Sequence, residues 1–160
     1  MKGLVTGPPM LGLMDEFDSA FASAGVEAKR ADVVQVMSEN ELVRLLTETD
    51  RWIIGDDPAT RRVFEAGRQG RLKAAVKWGV GVDNVDFAAA GELGLSVVNT
   101  PGVFGREVAD IAVGYVGGRS REIGRIDRTV RLENEWPKPS GISLAGKTVG
   151  VVGFGDIGRE

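Results

Sequence analysis

The chain contains no cysteine, so neither a disulfide nor a thiolate metal site is available to it. It contains no histidine either, which removes the side chain most often used as general acid and base, and a common metal ligand, near neutral pH. No apolar run approaches the ~20 residues of a membrane span; the longest, Ile111 to Gly118, stops well short. The opening run from Met1 breaks at Gly7-Pro8-Pro9, too early for a secretory signal. A net charge of −3 leaves no concentrated basic face for nucleic acid. These absences predict a soluble, cytoplasmic protein with no metal, no nucleic-acid partner and no membrane partner.

What is present points to a layered α/β fold. Hydrophobic residues make up 42% of the 160 and charged residues 27%, an ordinary globular balance that can bury one core. Glycine, at 23 residues, is about double the usual ~7%, which suits many strand-to-helix turns. The pattern alternates. Leu4 to Thr6 reads as a first strand, Met10 to Ala24 as a helix closed by Gly25, and Val33 to Met37 as a second strand. Ser38 and Glu41 have capping-box spacing before a helix carrying Leu42, Leu45 and Leu46 on one face. Trp52 to Ile54 reads as a third strand, and Pro58 is placed to start the next helix, ending near Gly67 to Gly70. Ala74 to Val76 is a fourth strand, Asp86 caps a helix to Leu93, Gly94 stops it, and Leu95 to Val98 is a fifth strand. A long helical segment follows from about Phe104 to Leu132. Gly114, Gly117, Gly118 and Gly124 interrupt it, either breaking the helix or admitting close approach of another backbone.

Three glycine-bearing stretches carry the chemistry. Gly141 to Thr148 fits the formula of a nucleoside-triphosphate phosphate loop. Its context excludes that reading, because a proline-rich loop precedes it and the β-branched run Val149 to Val152 follows where a helix is required. The second stretch, Lys77 to Asp86, follows the fourth strand at the end where ligands of open α/β sheets bind. Gly79 and Gly81 let the Val80 and Gly81 amides face outward as an anion nest, with Lys77 adding charge. The alternative is a plain turn in which Asp83 and Asp86 cap a helix and Lys77 is solvated. In the third, an apolar strand from Thr148 to Val152 enters Gly153-Phe154-Gly155-Asp156-Ile157-Gly158, the order of a dinucleotide-binding turn. Gly153 would make the turn, Gly155 would admit a pyrophosphate, and Gly158 would let the helix pack closely. The acidic residue expected about 20 positions on is not reached by Glu160, so the motif is expected to open a domain that the chain leaves incomplete.

Taken in order, Lys77 to Asp86, Gly94 to Gly102, Val108-Ala109-Asp110 and Ser143 to Glu160 closely resemble the D-isomer-specific 2-hydroxyacid dehydrogenases, and most of all the phosphoglycerate dehydrogenase-like subgroup. The resemblance implies a flavodoxin-like parallel sheet domain followed by the first βα unit of an incomplete Rossmann domain. Residues 1–99 would be the substrate-binding domain, without its C-terminal return helix. Residues 100–160 would be the interdomain helix, a loop and the truncated start of the nucleotide domain. It implies NAD as cofactor, with NADP left open, a small 2-hydroxy or 2-oxo acid as substrate, and a homodimer in the complete protein. Lys77, Val80 and Gly81 would bind substrate. Val80, Val108, Gly153, Gly155, Asp156, Ile157 and Gly158 would meet the cofactor. The family's catalytic arginine, carboxylate and histidine have no counterpart in these residues, so the chain alone is expected to be inactive. A non-enzymatic remnant or dimerisation module is the alternative. Phe104, where many members carry asparagine, and Gly117-Gly118-Arg119-Ser120 depart from the family pattern.

Overall fold

The computed structural model describes residues 1–160, which divide into two units, Met1–Val103 and Phe104–Glu160. In the first, strands β1 (Lys2–Val5), β2 (Glu27–Arg30), β3 (Arg51–Ile54), β4 (Ala74–Lys77) and β5 (Ser96–Asn99) form one sheet. All neighbours are parallel and the order is β2-β1-β3-β4-β5. That order is the flavodoxin-like one, whose direction of winding reverses next to β1.

Both faces of the sheet are used, because successive strand residues point to opposite sides. Leu4, Trp52 and Ile54 join Leu42 and Leu46 of α3 (Glu39–Leu46), Val63 and Phe64 of α4 (Arg61–Gln69) and Ala90 of α5 (Phe87–Glu92) in the main core. Val5 packs on the other face with Met10 of α1 (Pro8–Leu11) and Met14 of α2 (Met14–Ser23), flanked by Phe17, Phe21, Ile53 and Trp78. Phe17 and Trp78 meet edge to face at 6.0 Å. The row Val5, Ile53, Val76 and Val98 crosses this second face in register. The cover ends before β5, where Val98 is 56% exposed.

Ser38 and Glu41 form the expected capping box, each side chain accepting the other's backbone N–H. The Ser38 hydroxyl, and then its amide, hold the Glu41 carboxyl below its ordinary range. Asp86 caps α5 through the Ala89 amide at 2.8 Å, and Gly94 takes the left-handed conformation that ends it. Three expectations need correction. The second strand is Glu27–Arg30, and residues 33–37 are a loop in which Val34 is almost fully exposed while Met37 is buried. An edge strand meets water on its open side and tolerates charge, so its polar residues gave no apolar alternation. The first helix is split at Gly12-Leu13 into α1 and α2. Pro58 lies in the turn before α4, whose N-cap is Thr60, and Ala59 instead bridges to Val85.

The second unit contains α6 (Gly105–Ser120), α7 (Ile123–Arg128), a π-helical turn over Thr129–Glu133 and α8 (Asp156–Arg159). The long helix breaks at Arg121 and Glu122, the latter left-handed at φ 54°, and not at any of its glycines. A Cβ added at Gly114, Gly117, Gly118 or Gly124 would meet nothing within 4 Å. The strand expected at 148–152 is absent. A strand exists through pairing, and this unit offers it no second extended segment.

Candidate functional site

The first unit gathers its polar residues at the carboxyl ends of β3, β4 and β5, where chain after each strand turns back toward a helix. After β3, Gly55-Asp56-Asp57 is fixed by the buried Asp57 carboxylate. It accepts the Met37 amide at 2.8 Å and the Gly55 amide at 3.2 Å, tying the turn to the loop before α3. Asn84 reaches across from the β4 loop and donates to the carbonyls of Gly55, at 3.1 Å, and Asp57, at 2.7 Å.

Lys77 closes the same cluster from below. It is the last residue of β4 and only 5% exposed. Its ammonium donates to the Gly55 carbonyl at 2.5 Å and to the Asp56 carboxylate at 2.9 Å. The reading of Lys77 as a solvated charge is therefore overturned, since a buried ammonium requires partners and here has two. Asp56 itself is exposed.

The following loop is held from β5. Gly79 adopts φ 145°, a conformation open to glycine. Its amide donates to the Thr100 hydroxyl at 3.0 Å and its carbonyl accepts the Thr100 amide at 3.1 Å. Asn99 donates its side-chain amide to the Val80 carbonyl at 3.2 Å. Both carbonyls are thus engaged, whereas the amides of Val80 and Gly81 donate to no protein acceptor. Val80 and Gly81 are exposed, and a Cβ at Gly81 would meet nothing within 4 Å. Beside them lies a depression of about 320 Å³ walled by Asp56, Lys77, Trp78, Gly79, Asp83 and Asn84, with Gly81 at its rim. Two adjacent unpaired N–H groups at the edge of this depression suit a carboxylate oxygen.

The structure thus brings Lys77, Val80 and Gly81 together in the first unit. Residues that the sequence reading passed over complete the cluster: Asp56, Asp57, Asn84, Asn99 and Thr100. Asn84 and Thr100 stand in ordinary turn sequences, and nothing local marks them; their partners are 21 to 29 positions away.

The remaining candidates lie in the second unit. Gly153 takes φ 93°. A Cβ at Gly158 would overlap the Gly153 carbonyl oxygen, so the turn is closed on itself in a way that excludes any larger residue. Gly155 is the N-cap of α8, and Asp156 and Ile157 are its first residues. This turn packs on the start of α6, where Gly105 lies against the Asp156 side chain and Arg106 pairs with Glu160 at 3.7 Å. Val108 is on α6 in its first turn and partly exposed. The phosphate-loop formula at Gly141–Thr148 has no helix after Thr148, which keeps that reading excluded.

A five-stranded, all-parallel sheet with helices on both faces and a bare-amide loop at its carboxyl edge places the first unit among doubly wound α/β domains. The profile of the D-isomer specific 2-hydroxyacid dehydrogenase catalytic domain matches residues 12–151, and the chain belongs to that family. It is 35% identical over 127 residues to a hydroxypyruvate reductase of Thermotoga maritima, covering 78% of this chain and 40% of that protein. It is 33% identical to a D-3-phosphoglycerate dehydrogenase of Archaeoglobus fulgidus, across all of this chain and 29% of that one. Among solved structures it resembles an NAD-dependent formate dehydrogenase of Staphylococcus aureus in complex with NAD, with TM-score 0.78 and 26% identity over 99% of this chain and 51% of the other. Salmonella D-lactate dehydrogenase gives TM-score 0.76 and 28% identity over 99% and 47%. The chain thus spans about half the length of these solved structures and less of the curated relatives.

Proposed function

We propose that the complete protein is an NAD-dependent oxidoreductase that interconverts a D-2-hydroxy acid and its 2-oxo acid, and that the 160-residue chain alone is inactive. Family membership supports the reaction class. The observation that carries the site assignment is the pair of unpaired amides at Val80 and Gly81, in the loop that follows the buried Lys77. In this reading the two amides take the substrate carboxylate. Lys77 positions their loop through Gly55 and Asp56. By resemblance Val80 and Val108 are each assigned to the cofactor, and Gly153, Gly155, Asp156, Ile157 and Gly158 to its pyrophosphate. The absence of a side chain at Gly155, the N-cap of α8, and the close packing that excludes a Cβ at Gly158 fit the glycine roles of a pyrophosphate-binding turn. When bound, NAD supplies the hydride acceptor, and its reduced form the donor. Hydride transfer must be matched by proton exchange at the substrate oxygen, and the chain has no histidine for it, which supports inactivity in isolation. The proposal includes a cytoplasmic location; no helix is long and apolar enough to cross a membrane.

Gly81 allows a clean test, since its N–H can be removed while the side-chain space stays free. Gly81→Ala keeps the amide and should bind a small carboxylate such as D-glycerate as the parent does. Gly81→Pro deletes the donor and should lose that binding while the amide spectrum of the sheet is unchanged. Equal binding by both variants would refute the assignment. A second reading, a pairing module without chemistry, is favoured by Ile111, Val113 and Tyr115, all well exposed on α6. It predicts a stable dimer with no NAD affinity, measurable by sedimentation and calorimetry; the homodimer expected of the complete protein would use the same helix.

A further inference from the structure

We infer that the site is built for a singly charged, unphosphorylated 2-hydroxy or 2-oxo acid and repels a substrate carrying a second anionic group. The inference rests on the carboxylate reading above and deepens it. Lys77 is the one basic side chain in the wall of the depression, and its charge is already engaged by Asp56 at 2.9 Å. Asp83 stands exposed in the same wall, with no cation beside it. The wall is therefore net negative once the ion pair is counted. The adjoining depression, about 520 Å³, shares Asp56 and Asp83, adds Asp86 and has no basic lining residue.

A single carboxylate is served by the two neutral amide donors, which need no net positive charge around them. A phosphate on the same molecule is different. It carries nearly two further negative charges and is ordinarily met by arginine or lysine with free donors. Within the depression it would share the wall with Asp56 and Asp83, which line it together with Gly81. Like charges at such range discriminate by repulsion, which excludes a wrong ligand without contributing to the right one. Asp56 thus has two effects: it holds the lysine that supports the loop, and it withholds that lysine from a second anionic group.

D-Glycerate and 3-phospho-D-glycerate differ only by the phosphate, so titrating both into the isotope-labelled 160-residue chain isolates the effect. Glycerate is expected to shift the Val80 and Gly81 amide resonances. The phosphorylated acid is expected to bind at least about tenfold more weakly, equivalent to about 1.4 kcal/mol, with the gap shrinking at high salt. Asp83→Asn should narrow the gap, and Asp56→Asn should narrow it further by freeing Lys77. If Asp56→Asn fails to fold, Asp83→Asn alone decides, since that side chain holds no partner. Equal or tighter binding of the phosphorylated acid, or a ratio unmoved by Asp83→Asn, overturns the inference and leaves the carboxylate reading intact. If neither acid moves those amides, the carboxylate reading fails and the inference with it.

Discussion

At the scale of single residues, the buried polar groups behind the loop do more for the site than its exposed ones. Asp57 shows why. It is fully buried, and its two oxygens accept the Met37 amide at 2.8 Å and the Gly55 amide at 3.2 Å, the latter also facing the Thr6 hydroxyl at 3.4 Å. Asp57→Ala would leave the Met37 amide buried and unpaired, at ~1–3 kcal/mol, and the Gly55 amide with only the long contact to the Thr6 hydroxyl. We expect a clear drop in the urea midpoint with little change in slope, together with loosening of the Gly55 turn that Lys77 and Asn84 hold. An unchanged midpoint would mean that water replaces the carboxylate. The sequence displays Asp56-Asp57-Pro58 as a turn, but it cannot tell which aspartate turns inward. That is decided by Met37, 20 residues upstream, whose amide arrives beside Asp57 only after folding.

Among elements, the opposite end of the sheet supplies the acid-sensitive link. Asp50 precedes β3 and accepts the Lys2 amide of β1 at 2.7 Å, while Arg71, ahead of β4, grips both of its oxygens. The Lys2 amide first, then the Arg71 guanidinium, hold the Asp50 carboxyl below its ordinary range against the opposing effect of burial. The folded protein therefore binds this proton less readily than the unfolded chain does. Its contribution is present above the unfolded carboxylate value near ~3.9 and is lost as pH falls through the lower folded value. Unfolding curves taken across that acid range should show stability falling, and Asp50→Asn should flatten this part of the profile. An equally steep profile in the variant would assign the acid sensitivity to other carboxylates. Elements differ in how openly the sequence shows them. Strands β3, β4 and β5 and the caps at Ser38 and Asp86 follow local rules of pattern and spacing. Strand β2 does not, because Glu27–Arg30 is extended through pairing with β1 and not through any apolar pattern of its own.

For the whole molecule, every apolar side chain of the buried core lies between Leu4 and Leu95, within the first unit. In the second, Gly105 is the single buried residue. Hydrophobic burial is the main source of cooperativity, so residues 1–103 should fold without the rest. We expect a chain ending at Val103 to unfold in one urea transition, followed by fluorescence of the buried Trp52, at a midpoint close to that of residues 1–160. Amides from Lys147 onward should exchange rapidly. A shortened chain that unfolds without a cooperative transition would show that the second unit supports the first. The glycine-rich α6 fits this division, since a Cβ at Gly114, Gly117 or Gly118 would meet nothing within 4 Å; of its glycines only Gly105, at its start, packs, against Asp156.

The sequence by itself determined the alternation of strands and helices, the caps, the sharp turn at Gly79 and the self-closing glycines of the Gly153–Gly158 turn. Each depends on residues within a few positions of one another, so local stereochemistry decides it. Only the tertiary structure decided that β2 is a charged edge strand, that residues 148–152 stay unpaired, and that Lys77 is buried against Gly55 and Asp56. It also decided that Thr100, Asn99 and Asn84 hold the Val80–Gly81 loop. Those outcomes depend on hydrogen-bond partners brought together by strand order, and no local pattern of apolar and polar residues encodes which distant partner arrives.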